Sequence, residues 1–97
     1  MSATFLQLPK AQLEIIKAWD WYEEKEAGLG DRFKRQVHLK IKAVLENPLH
    51  YPKKGKYHEA LTEDFPFLIV YHYNKKQNLI IIVSVFHTSR HPRRKYR

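Results

Sequence analysis

The stretch NLIIIVSVFH, residues 78–87, constrains this chain more than any other. Its apolar residues occupy both faces of an extended backbone, with Ile80 and Ile82 on one side and Ile81, Val83 and Val85 on the other. Such a strand has no face to give to water, so it belongs centrally in a sheet with a layer packed on it. The run is far too short to cross a membrane. Its neighbours and its cover must therefore come from the rest of 97 residues, a length that fits one domain (1–97) with a small core.

The neighbours can be read along the chain. TFLQL alternates, so residues 3–8 read as a first strand, ended by Pro9. From Lys10 to about Ala27, Ala11, Ile15, Ala18, Trp19 and Tyr22 form one helical stripe. Gly28 is the expected terminator of that helix, and Asp31 the expected cap of a second one. The second helix carries Phe33, Val37, Ile41, Val44 and Leu45 on one face and stops near Asn47, because Pro48 follows. So short a connection makes the two helices an antiparallel hairpin. Residues 47–57, NPLHYPKKGKY, read as a loop. Strands are expected at Tyr57–Thr62, Phe67–Tyr73 and Leu79–His87, with Asn74–Asn78 as the last turn.

Helices in one block and strands in another predict an α+β fold, β-α-α-β-β-β. The helical hairpin would pack on one face of a mostly antiparallel four-stranded sheet.

Composition narrows the chemistry. The absence of cysteine removes disulfides, thiolate zinc sites and a cysteine nucleophile together. MSATFLQLPK lacks the features of a signal peptide, so a cytoplasmic location is expected. The six histidines make neither HxH nor HExxH on a helix, and no metal or cofactor site is expected. There is no glycine-rich phosphate loop and no serine nucleophile elbow.

Formal charge is +8, and five of the eighteen Lys and Arg lie in the tail, residues 88–97, which holds no acid. A surplus of this kind favours an acidic or polyanionic partner, or serves solubility alone. At the strand end, Arg90 could grip phosphate or carboxylate, and His87 could move a proton. Arg93, Arg94 and Lys95 would add attraction. The alternative is that His87 packs against the sheet edge, Arg90 pairs with a local acid, and the rest of the tail is disordered. Trp21 points away from the buried stripe of the first helix and reads either as a docking surface or as cover for the sheet's edge.

Four fragments in this order, AWDWYEEKEAGLGDRF, ENPLHYP, FPFLIVYHY and VSVFHTSRHP, resemble the RelE/ParE superfamily of bacterial type II toxins from the first strand to Pro92. The resemblance implies a cytoplasmic toxin of the plasmid-stabilisation kind, silenced by a cognate acidic antitoxin that wraps it, as a hetero-oligomer or with a toxin homodimer. It leaves two targets, the ribosome, where RelE-like members cut messenger RNA, and DNA gyrase, which ParE-like members inhibit. The RNase branch resembles a lysine-rich middle strand, an arginine on the next strand, and an arginine and tyrosine near the end. Here His58 and Glu59 stand where the lysines are expected, and Phe67 and Leu68 near the arginine's position; only Arg90 and Tyr96 match by type. FPFLIVY and GLGDRF look more like the ParE side. The expectation is a ParE-like toxin acting by binding through Arg90, Arg93, Arg94 and Lys95, with Trp21 and Arg90 meeting the antitoxin. The alternatives are a metal-independent endoribonuclease using His87, Arg90, Tyr96 and Glu59, and a basic domain that binds nucleic acid directly.

Overall fold

The computed structural model describes residues 3–89. In chain order the elements are β1 (Thr4–Gln7), α1 (Pro9–Lys25), α2 (Leu29–Glu46), β2 (Lys53–Lys54), β3 (Tyr57–Leu61), β4 (Phe67–Asn74) and β5 (Leu79–His87). The strands join in the order β1-β5-β4-β3-β2, with β1 parallel to β5 and every other pair antiparallel. The α+β class and the helical hairpin are as the sequence predicts. The sheet has five strands rather than four, because Lys53 and Lys54, inside the expected loop, pair with His58 and Tyr57.

β5 is flanked on both sides, by β1 and β4, as its two apolar faces require. Its alternation is interrupted once. Ile82 lies opposite Tyr71 and Ser84 opposite Val70, so Val83 has no partner across the ladder. A bulge of this kind reverses the side-chain parity beyond it. Val85 therefore joins Ile80 and Ile82 in the core rather than Ile81 and Val83 on the other face, which corrects the simple alternation. Against this sheet face pack Ala11 and Ile15 of α1 and Phe33, Val37, Ile41 and Val44 of α2.

The turn between the helices follows a different logic from the expected one. Gly28, at φ +88°, caps α2 rather than ending α1, and α2 already begins at Leu29. Capping is done by a side chain of the preceding helix. Glu23 Oε1 accepts the N–H groups of Gly30 (2.8 Å) and Asp31 (3.2 Å), and its Oε2 accepts that of Gly28 (3.2 Å). A carboxylate at a helix N-terminus satisfies otherwise unbonded donors and meets the positive end of the helix dipole. Asp31 is thereby released from capping and accepts the indole N–H of Trp19 at 2.9 Å. WYEEKEAGLGD is thus a lock between two helices. It sets where the C-terminal half of α1 lies over the sheet.

The loop after α2 is tied to the sheet through its carbonyls. Tyr71 donates its hydroxyl to Pro48 O (2.6 Å), His58 Nδ1 donates to Tyr51 O (2.9 Å), and Glu59 N donates to Pro52 O (2.9 Å). The His58 ring stacks on Tyr71 at 5.0 Å. Burial, with Tyr51 adding to it, pushes the Tyr71 hydroxyl well above its usual ionisation range. No helix among the described residues is long and apolar enough to cross a membrane.

Candidate functional site

At the C-terminal end of β5 the hairpin and the sheet leave a cleft of about 390 Å³, lined by Ala18, Trp21, Tyr22, Phe67, His87 and Ser89. Helical spacing explains the α1 wall, since Ala18, Trp21 and Tyr22 are neighbours at i, i+3 and i+4. Tyr22 turns inward to meet Phe65 at 5.0 Å between centroids, while Trp21 stays 51% exposed with Lys25 Nζ 4.7 Å from its ring. Phe67 and His87 are register partners, and their rings meet edge to face at 5.3 Å. The lining is thus aromatic, floored by one small residue and finished by two polar ones.

The end of β5 is held by a residue that sequence reading did not single out. After Leu8 donates to Ile82 O, the chain leaves the sheet at Pro9, and among the described residues no strand lies beside that edge of β5 beyond this point. Half-buried Glu14 of α1 takes that place. Its Oε1 accepts both the Ser84 hydroxyl (2.8 Å) and the Val85 N–H (3.0 Å). Seventy residues separate the partners, so no local pattern marks Glu14. A carboxylate one position before buried Ile15 was the only trace.

His87 turns Nδ1 back onto its own turn. Its Nδ1 accepts the backbone N–H of Ser89 at 3.1 Å, with Ser89 Oγ at 2.7 Å. A backbone N–H can only donate, so in the neutral ring the proton resides on Nε2. In that form Nε2 is a donor, and the Nδ1 lone pair is engaged by Ser89. Thr88 N donates to Pro66 O at 2.8 Å, which fixes the backbone between His87 and Ser89.

The remaining expected site residues are distributed as follows. Trp21 and His87 come together in the cleft. Glu59 does not join them. It pairs with Val70, so its side chain lies on the opposite sheet face from His87, whose partner Phe67 is in the core. Glu59 is buried, with Lys54 Nζ at 3.7 Å. Arg90, Arg93, Arg94, Lys95 and Tyr96 lie outside the described residues.

An aromatic cleft at the end of a β-sheet covered by a locked helical hairpin, in the order β-α-α-β-β-β-β, defines a RelE/ParE-like fold. The model of the ParE toxin of the type II toxin-antitoxin system parDE matches residues 6–92, and the chain belongs to that family. Among solved structures, it is similar to a chain from the chromosomal ParDE TA system of P. aeruginosa, at 12% identity and a TM-score of 0.76, with 89% of this chain and 96% of that one covered. It is also similar to a mutant of E. coli toxin RelE in the free state, at 13% identity and a TM-score of 0.54, covering 92% and 86%. At these identities the likeness is one of fold. No curated protein matches the sequence.

Proposed function

We propose that this member of the ParE family is a growth-inhibiting toxin that acts by binding a macromolecular target, with DNA gyrase in first place, and that an acidic antitoxin silences it. The separation of the two candidate bases, Glu59 and His87, on opposite faces of the sheet is the observation that carries the binding reading. Metal-free RNA cleavage needs a base for the 2′-hydroxyl, a group for the phosphorane charge and an acid for the leaving oxygen. His87 has its Nδ1 engaged by Ser89, and Glu59, the other candidate, faces the far side of the sheet. His58 and Glu59, where the RNase branch carries lysines, are committed to Tyr51 O and to Lys54.

In this reading Arg90, Arg93, Arg94 and Lys95 supply attraction to the target. Trp21 is the anchor for the antitoxin, because an exposed tryptophan beside a cleft fits the residue class that dominates binding energy. The net charge of +8 favours an acidic antitoxin segment through encounter rate and complementarity.

A supercoiling assay with purified protein and gyrase tests the target. Inhibition at micromolar toxin, weakened by Arg90→Ala, is expected. Unchanged supercoiling together with new 5′ ends in ribosome-bound message would replace gyrase by RNA cleavage.

A further inference from the structure

Charge is sorted along this molecule. Five of its ten acids, Asp20, Glu23, Glu24, Glu26 and Asp31, lie in or beside the turn between the helices, with Lys25 as the one base among residues 20–31. That turn stands at the cleft end of the sheet, where Trp21 and Tyr22 form the wall. The opposite end is made by two other turns. Lys53, Lys54, Gly55 and Lys56 lead from β2 into β3, and residues 75–78 join β4 to β5. These turns are neighbours, because His72 Nδ1 donates to Lys56 O at 3.2 Å and Lys75 follows three residues after His72. Lys53, Lys54, Lys56, Lys75 and Lys76 are all exposed. Residues 47–58 and 65–78, which run through the two turns, contain no Asp or Glu. Lys54 lies 3.7 Å from buried Glu59; among the described residues the other four lysines have no carboxylate within ion-pair distance. The second turn is fixed from within: Asn78 N donates to Lys75 O (3.3 Å), Gln77 N to Asn74 Oδ1 (3.2 Å), and the Tyr73 hydroxyl to Asn78 Oδ1 (2.9 Å).

We propose that this lysine-lined end of the sheet is a contact surface for the phosphodiester backbone of nucleic acid, separate from the cleft and independent of the target reading above. The kind of cation selects the occupant. Protein interfaces are depleted in lysine and anchored by aromatic residues and arginine. The two turns offer lysine, glycine, asparagine and glutamine, with no arginine and no large apolar side chain. A single small anion needs donors converging on one point, whereas lysines on two adjacent turns spread compact charges over a surface. A phosphate chain repeats its charge about every 3.4 Å of helix axis per strand and releases counterions when lysines replace them. Without arginine to pair with guanine edges, such a contact positions the protein and reads no sequence. The nine residues of β5 hold this end roughly 26 Å from the acidic helix turn, so a polyanion is drawn to one end of the domain and repelled from that turn.

The test compares two triple variants of the full chain that carry the same net charge. Lys56→Gln, Lys75→Gln and Lys76→Gln together strip the turns and leave Lys54 beside Glu59. Lys34→Gln, Arg35→Gln and Lys42→Gln together strip exposed cations of α2 and serve as the control. Residues 90–97 are unchanged in both, so their charge cancels from the comparison. Fluorescence anisotropy is read with a labelled DNA duplex of random sequence, and separately with an RNA duplex of the same length, between about 50 and 200 mM salt. Each lysine that meets a phosphate contributes about 0.9 to the slope of log affinity against log salt, so the turn variant should lose about 2–3 from that slope on DNA. It should also bind at least ~10-fold more weakly at the lower salt, with the control close to the parent. Matching far-UV circular dichroism ties the loss to the surface and not to folding. A loss specific to the turn variant on either duplex supports the surface and identifies which nucleic acid supplies the phosphates. Equal losses in the two variants, a turn variant with the parent's affinity and slope, or a parent that leaves both duplexes unbound would each overturn the proposal.

Discussion

Replacing Gly30 by alanine tests the lock between the helices. A Cβ built at Gly30 would lie 2.6 Å from Glu23 Cγ, 2.6 Å from Trp19 O and 2.9 Å from Trp19 Cδ1. Glu23 can rotate away, but the Trp19 carbonyl belongs to the backbone of α1 and yields only if the helices separate. Such overpacking costs about 1–3 kcal/mol. Rotation of Glu23 also gives up its hydrogen bonds to Gly30 and Asp31, worth a further ~1–2 kcal/mol at a half-exposed site. Against this, alanine gains about 1 kcal/mol over glycine in helix propensity. The net expectation is a loss of roughly 1–4 kcal/mol, which for a chain of this size lowers Tm by roughly 4–30 °C. Gly28→Ala is the matched control. No atom lies within 4 Å of its Cβ, so only the left-handed backbone at φ +88° resists, at about 1–2 kcal/mol. Urea melts of both variants and the parent measure the difference. If Gly30→Ala cost no more than Gly28→Ala, the close approach would not be holding the hairpin, and the account of the GLGD turn would be wrong.

Three further outcomes follow from the same contacts. Glu14→Ala leaves the Val85 N–H without its acceptor and should destabilise the protein by about 1–3 kcal/mol, with faster amide exchange at Val85 than in Glu14→Gln, which keeps an acceptor oxygen. Tyr71 ionises above its ordinary value in the folded chain, so its contribution to stability is complete below about pH 10, where the unfolded phenol titrates, and is lost as pH rises towards the folded value. Alkaline urea titrations should show that loss, and Tyr71→Phe should flatten it while removing the bond to Pro48. His87→Asn keeps an acceptor beside the Ser89 N–H and should retain growth inhibition on induction, whereas complete loss in a folded variant would restore a proton-transfer role to His87.

Much of the candidate site was legible as residues and illegible as a place. Trp21 was readable as exposed because its angle on the helical wheel departs from the stripe of Ala18, Trp19 and Tyr22. His87 was readable as a strand end from the polar turn after Phe86. That the two share one cleft depends on how α1 crosses β5, which the Glu23 lock and the Glu14 contact decide. Separating Glu59 from His87 required register, since a one-residue slip would have put both on the same face. Asp31 was misread as a cap because Ser, Asp and Asn before a helix normally serve themselves. Here a carboxylate eight residues upstream already occupied the position.

By itself the sequence determined the two helices, the interior position of β5, the α+β class and the family. The first three rest on periodicity and turn chemistry, which act over a few residues and survive in a string of letters, and the family rests on the resemblance of four fragments in order. The tertiary structure alone decided that Val85 faces inward, that Glu14 replaces a missing strand, and that Glu59 lies across the sheet from His87. Those outcomes depend on groups as much as seventy residues apart competing for the same hydrogen bonds, and that competition exists only once the chain has closed on itself.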